Sequence, residues 1–146
     1  MAQQVIKNMN KTNVALIVYD YDDDFEKLST FLRLKPTMTQ EVSEKEWLVR
    51  RWELAANVPE TEEVEKHLDA LLKLLEPSAK EIRETAEKYR CIISVGIHYY
   101  EFNPEIALTP EMLNSLSSLG VKLWLDIYNM WDGETDHDNN HSTSKI

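Results

Sequence analysis

Residues Val121 to Trp131 read V-K-L-W-L-D-I-Y-N-M-W, and the alternation in this stretch decides the fold. In an extended strand Val121, Leu123, Leu125 and Ile127 fall on one side, and Lys122, Trp124, Asp126, Tyr128 and Met130 on the other. The longest strand-like segment, Cys91 to Phe102, behaves the same way: Cys91, Ile93, Val95 and Ile97 oppose Ser94, Gly96, His98 and Tyr100. Strands of an all-parallel sheet are covered on both faces and read as continuous apolar runs. Two alternating strands therefore predict a sheet with one face under helices and the other left open.

Working outward, Asn13 to Tyr21 is β-branched and aromatic and reads as a further strand. Asp23 and Glu26 have the spacing of a capping box. Phe25, Leu28, Phe31 and Leu32 follow at helical spacing, which predicts about three turns ending before Pro36. Thr37 to Ser43 fits either a short edge strand or a loop, and Trp47 to Ala55 is strand-like. Pro59 and the acids Glu60 to Glu63 open a helix with Val64, Leu68, Leu71, Leu72 and Leu75 on one stripe. Pro77 interrupts it, and Ser78 to Glu81 has the form of a second capping box, so the segment is two helices or one sharply kinked. Thr109-Pro110 starts a last helix and Gly120 stops it. The order strand, helix, strand, two helices, strand, helix, strand predicts an α+β fold. Its form is a two-layer α/β sandwich, a mixed or antiparallel sheet of four to five strands with helices on one face. The expected organisation is a flexible arm over 1–12, one domain over 13–131 and a disordered acidic tail over 132–146.

Composition narrows the function classes. The 146 residues carry 26 Asp and Glu against 16 Lys and Arg, a formal net charge of −10. A chain of this size buries about 70% of its unfolded surface, enough for one core. A surface so acidic repels phosphate, which argues against nucleic acid as a partner. No apolar run approaches the ~20 residues of a membrane span. The first residues show no apolar signal segment, and the one cysteine, Cys91, cannot form an internal disulfide. Both features lead to the expectation of a cytoplasmic protein that does not bind membranes. With three glycines in the chain there is no phosphate-cradling loop and no dinucleotide fingerprint, and no cofactor is expected.

Four stretches carry a family resemblance: L-R-L-K-P-T-M-T from Leu32 to Thr39, W-E-L at Trp52, H-L-D-A-L-L-K-L-L-E-P ending at Pro77, and I-A-L-T-P-E-M-L with L-G-V-K-L-W-L-D-I-Y near the end. In their order and spacing the chain resembles the bacterial family known as domain of unknown function 4279, from about Val14 to Tyr128. Members of that family usually carry a small residue, often glycine, where this chain has Arg33. The resemblance implies a single domain and supplies no catalytic residues.

Four groups of residues are candidates for chemistry. Asp20, Asp22 and Asp24 alternate as in a calcium loop, but Phe25 and Phe31 stand where an EF-hand needs Gly and Glu. They read as a helix cap with acids in its first turn, or as a weak Mg²⁺ or Ca²⁺ site. In the tail, Asp132, Glu134, Asp136, His137, Asp138 and His141 resemble a metal-binding run, yet no helix aligns the two histidines; a solvated tail is the simpler expectation. Cys91 reads as a small core residue, since His98, seven positions along, points to the opposite face. The open sheet face has more content, with His98, Tyr100, Trp124, Asp126 and Tyr128 projecting from it. The strand from Trp47 adds either Trp47 and Arg51 or Arg50 and Trp52, with Arg51 the candidate. Aromatic residues with an arginine among them are the usual material of binding hot spots. The expectation is a protein-interaction module rather than an enzyme, binding a protein partner. A basic partner, such as a toxin that it neutralises, would suit its charge, and the same face would serve a homodimer or be covered. The alternative is a small-molecule binder or metal-assisted hydrolase using that face or the Asp20 to Asp24 cluster.

Overall fold

The longest unbroken apolar run of the chain forms its central strand. The computed structural model describes residues 10–44, 47–100 and 102–130, and in it β1 (Lys11–Tyr19) buries every residue from Val14 to Val18. Val14, Leu16 and Val18 meet the helical core, and on the other face Ala15 and Ile17 are buried with Ile92 among neighbouring side chains. β3 (Trp47–Ala55) and β4 (Arg90–Tyr99) pair antiparallel with it, one on each side. β2 (Met38–Glu44) lies antiparallel outside β3, and β5 (Lys122–Asn129) lies parallel outside β4. The order is β2-β3-β1-β4-β5, a mixed five-stranded sheet and an α+β fold. Thr37 to Ser43 thus resolves as the edge strand β2.

Among the described residues the helical layer holds α1 (Phe25–Leu32), α2 (Val64–Leu75), a 3-10 turn (Glu76–Ser78), α3 (Ala79–Lys88) and α4 (Pro110–Leu119). Pro77 in the 3-10 turn separates α2 from α3, which settles the choice between two helices and one kinked helix. All four helices send side chains into one core against the same sheet face, for example Leu28, Leu68, Ile82 and Leu116 against Leu16 and Ile93. Trp52 belongs to this core; it is fully buried and its Nε1–H donates to Ser29 Oγ at 2.9 Å. That assignment fixes the parity of β3 and turns Arg51 to the opposite face. Trp47 would share it, but its side chain lies outside the described residues.

The helix ends follow local chemistry, with some corrections. The N-cap of α1 is Asp24, whose carboxylate accepts from the Glu26 N–H at 3.0 Å, so the expected Asp23–Glu26 box is displaced by one residue. Asp23 instead accepts from the Asp24 N–H at 2.7 Å and from Lys27 Nζ at 3.2 Å. α1 has 8 residues rather than three full turns, because Arg33 enters the left-handed region at φ 57° and ends it. Ser78 caps nothing; its hydroxyl donates to the Leu32 carbonyl, tying α3 to the end of α1. Thr109 caps α4 as expected, its Oγ1 accepting from the Met112 N–H at 3.1 Å, and Gly120 closes the helix at φ 71°.

Three further expectations need revision or fall outside the structure. Lys11 and Thr12 belong to β1, so the arm expected over 1–12 gives up its last two residues to the sheet. Residues 1–9 lie outside the described part, as does the tail over 132–146 with its metal-like run. Leu125 and Ile127 are on the helix side of β5, yet they are 46% and 47% exposed. Val121 and Leu123 pack against the core, but the helices stop short of the far half of this edge strand.

Candidate binding face

The face turned away from the helices is built in rows. Arg51, Tyr19 and Arg90 stand in register across β3, β1 and β4. Next come Glu53, Ile17, Ile92 and Lys122, then Ala55, Ala15, Ser94 and Trp124. Asn13, Gly96 and Asp126 follow, and Lys11, His98 and Tyr128 complete the set. Residues in register share a face, so these five rows are one surface.

This surface has a small core of its own, which the alternation alone did not reveal. Ala15, Ile17 and Ile92 are buried on it, with Tyr19 and Ala55 packed against them. Long side chains shelter an apolar patch by lying along it with their charged ends outward. The Arg90 guanidinium lies 4.5 Å from the centre of the Tyr19 ring and 5.7 Å from that of Trp124. Arg51 lies over the other side of the patch, 5.9 Å from the Tyr19 ring, and its guanidinium is paired with Glu53. Cation–aromatic contacts at these separations are attractive, and they link Arg51, Tyr19, Arg90 and Trp124 into a ladder across four strands.

The opposite end holds a second group. The His98 ring stacks on Tyr128 with centres 4.9 Å apart and planes 21° from parallel. The Tyr128 hydroxyl bonds to Asp126, and that hydrogen bond and the carboxylate's charge hold its ionisation above the ordinary tyrosine range. Trp124 and Tyr128 are four residues apart on one strand, about 13 Å. Of the expected site residues, Tyr128 therefore meets both His98 and Asp126, while Trp124 and Arg51 belong to the ladder. Tyr100 joins neither group; it lies beyond β4, where its backbone N–H donates to Asn10 Oδ1 at 3.0 Å. Tyr19 and Arg90, which hold the ladder together, were not among the expected residues. The signal for them was parity: Tyr19 shares a face with Ile17, and Arg90 with Ile92.

The acidic cluster is dispersed by its own bonding. Asp20 takes φ 58° and donates its N–H to the Arg50 carbonyl at 2.9 Å. Asp22 accepts from the Tyr89 hydroxyl, which pushes Tyr89 up to about 12. Asp24 caps α1. Among the described residues no group of three or more His, Cys, Asp or Glu is placed to hold a metal ion. Cys91 is buried on the helix side, and burial pushes its thiol up to about 12, so it stays protonated at neutral pH. Among the described residues, open clefts lie away from the sheet face. One of about 260 Å³ lies between Tyr21, Phe31 and Tyr89, and another, of about 430 Å³, surrounds the end of α1 at Arg33.

Sequence reading passed over His67 in α2. It is buried, with Nε2 3.0 Å from the Pro59 carbonyl oxygen, and burial holds its pKa below the ordinary histidine value. In the neutral ring, donation to this carbonyl requires the proton on Nε2, and the bond pins the loop before α2.

Fold and face together define an α+β domain with helices on one side of a mixed sheet and an aromatic, cation-bearing surface on the other. The chain belongs to the family described as domain of unknown function 4279, whose model matches residues 10–130. No curated protein and no solved structure matches it. No helix among the described residues is long and apolar enough to cross a membrane.

Proposed function

We propose that this domain is a cytoplasmic protein-interaction module whose contact surface is the open face of the sheet. The observation that carries this reading is a sheet face presenting Trp124, 45% exposed, in a ladder with Arg90, Tyr19 and Arg51, and Tyr128, 46% exposed, stacked on His98. Large aromatic side chains and arginine supply most of the energy at protein interfaces. The charge of the face differs from that of the whole chain. On β1, β3, β4 and β5 it carries Lys11, Arg51, Arg90 and Lys122 against Glu53 and Asp126, although the chain totals −10. The net charge favours the approach of a basic partner, while the face itself favours a contact offering apolar and acidic groups.

Capture from native lysate with the wild-type chain and with folded Arg90→Ala and His98→Ala variants tests the proposal. One protein retained by the wild type and lost by both variants is the expected result. Retention unchanged by either substitution overturns the assignment of this face.

A further inference from the structure

β5 keeps large apolar side chains exposed on both of its faces: Leu125 and Ile127 on the helix side, Trp124 and Tyr128 on the open side. Among the described residues it is an outermost strand paired with β4 and no other, so the far edge of its Lys122 to Asp126 segment presents backbone N–H and C=O groups to a further strand. The opposite edge is guarded differently. β2 reads M-T-Q-E-V-S-E, with two glutamates, and charge on an edge discourages another strand from adding to it. β5 begins K-L-W-L-D, a segment that complements itself when reversed. Lys122 and Asp126 stand at its ends with opposite charge, and two leucines flank Trp124.

We propose that β5 pairs antiparallel with β5 of a second copy of this chain, about a two-fold axis through Trp124. Opposed residues in an antiparallel pair share a face, so a two-fold that keeps both open faces on one side must pass through a residue. Centred on Asp126, it sets two carboxylates against each other. Centred on Leu125, it puts Lys122 opposite the partner's Tyr128 and Asp126 opposite the partner's Trp124. Centred on Trp124, it sets Lys122 against the partner's Asp126 and Asp126 against the partner's Lys122. Leu123 then meets the partner's Leu125, and the tryptophans meet each other. Cross-strand apolar pairs and opposite charges are the contacts that stabilise a sheet. Among the described residues Lys122 makes no ion pair within its own chain. The segment is also locally neutral in a chain of −10, which lets two acidic copies approach there. Pairing in this way joins two five-stranded sheets edge to edge and sets the two open faces side by side.

The pairing goes beyond the proposed partner binding and is tested apart from it. Sedimentation equilibrium of the full chain should give a mass twice 17.1 kDa. Lys122→Asp and Asp126→Lys each place like charges opposite each other, and each should raise the dimer dissociation constant at least tenfold while circular dichroism stays native. Mixed in equal amounts, the two variants should form a heterodimer, because each acid then faces a lysine. The doubly exchanged chain should dimerise alone. Arg51→Ala, on β3 and three strands from this edge, should leave the dimer intact even where it loses the partner. A monomeric wild type, single variants that dimerise as well as the wild type, or folded variants that stay apart on mixing would overturn the pairing.

Discussion

Trp52 and Trp124 stand on opposite faces of one sheet, and the contrast between them separates what holds this protein together from what it presents. Trp52 is fully buried on β3, with its indole N–H satisfied by Ser29 Oγ. Trp124 on β5 is 45% exposed, and its described ring contact is the Arg90 guanidinium. The helix-covered face is a close-packed core fed by four helices, whereas the open face is a three-residue apolar patch under a fringe of long side chains. Core packing is specific and intolerant of lost volume, while a fringe can rearrange around a partner.

The largest expected effect tests that difference directly. Trp52→Ala removes a buried indole and leaves Ser29 without its donor, and should cost about 3–5 kcal/mol of stability. Trp124→Ala should cost no more than about 1 kcal/mol, the scale of an exposed cation–aromatic contact. Leu125→Ala belongs with Trp124 in this comparison, because its exposure of 46% places it outside the core despite its helix-side parity. Urea denaturation of the three variants measures all of this. Equal losses at Trp52 and Trp124 would mean that both faces are core, and the binding reading would fall with the comparison.

The same contrast explains what the sequence disclosed. Alternation in β4 and β5 was legible because side-chain direction follows strand parity whatever the neighbours do. The single helical layer follows from it, whereas element order implies four to five strands, the fifth depending on whether Thr37 to Ser43 is strand or loop. How far the helices reach over the sheet is a tertiary fact, so parity put Leu125 and Ile127 on the covered side but not under cover. Arg90 was missed for a related reason: a strand read as beginning at its first apolar residue, Cys91, omits the polar residue that extends it. Arg33 shows a third limit. Its φ of 57° favours glycine, but its guanidinium donates to the Pro77 carbonyl at 2.7 Å and to Glu81 at 3.3 Å. A contact forty-four residues away explains a side chain where local backbone preference alone would choose none.

A smaller effect, dependent on pH, belongs to the covered face. Burial holds His67 below the ordinary histidine pKa of 6.5. As the pH falls through 6.5 the unfolded chain takes up a proton there while the folded ring still resists. Stability is therefore complete above this value and declines below it, by at most about 1.4 kcal/mol per pH unit, until the folded ring also protonates. In His67→Gln this component should be gone, so subtracting its stability profile between about pH 5 and 8 from that of the wild type isolates the histidine. Parallel profiles would show that His67 does not titrate differently on folding, and the neutral ring bonded to Pro59 would have to be abandoned.

The smallest expected effect returns to the open face. Gly96 lies within β4 between Ser94 and His98, in register with Asn13 and Asp126. Its backbone is ordinary, since the described positive-φ residues are Asp20, Arg33 and Gly120. A Cβ built there would come no closer than 3.8 Å to the Asn13 carbonyl oxygen, an ordinary van der Waals contact. A glycine inside a strand costs conformational entropy on folding, and an alanine that fits without strain recovers about 0.4–1 kcal/mol. Gly96→Ala should therefore stabilise the protein by that amount. At Gly120, by contrast, φ is 71° and a Cβ would meet Arg83 Cγ at 3.1 Å, so alanine there should destabilise. Thermal melts of the two variants give the signs. Destabilisation by Gly96→Ala would mean that the space above the sheet between the Arg90 ladder and the His98–Tyr128 stack is filled in solution, by this chain or by another. The open face would then have to be treated as an occupied interface rather than a free one.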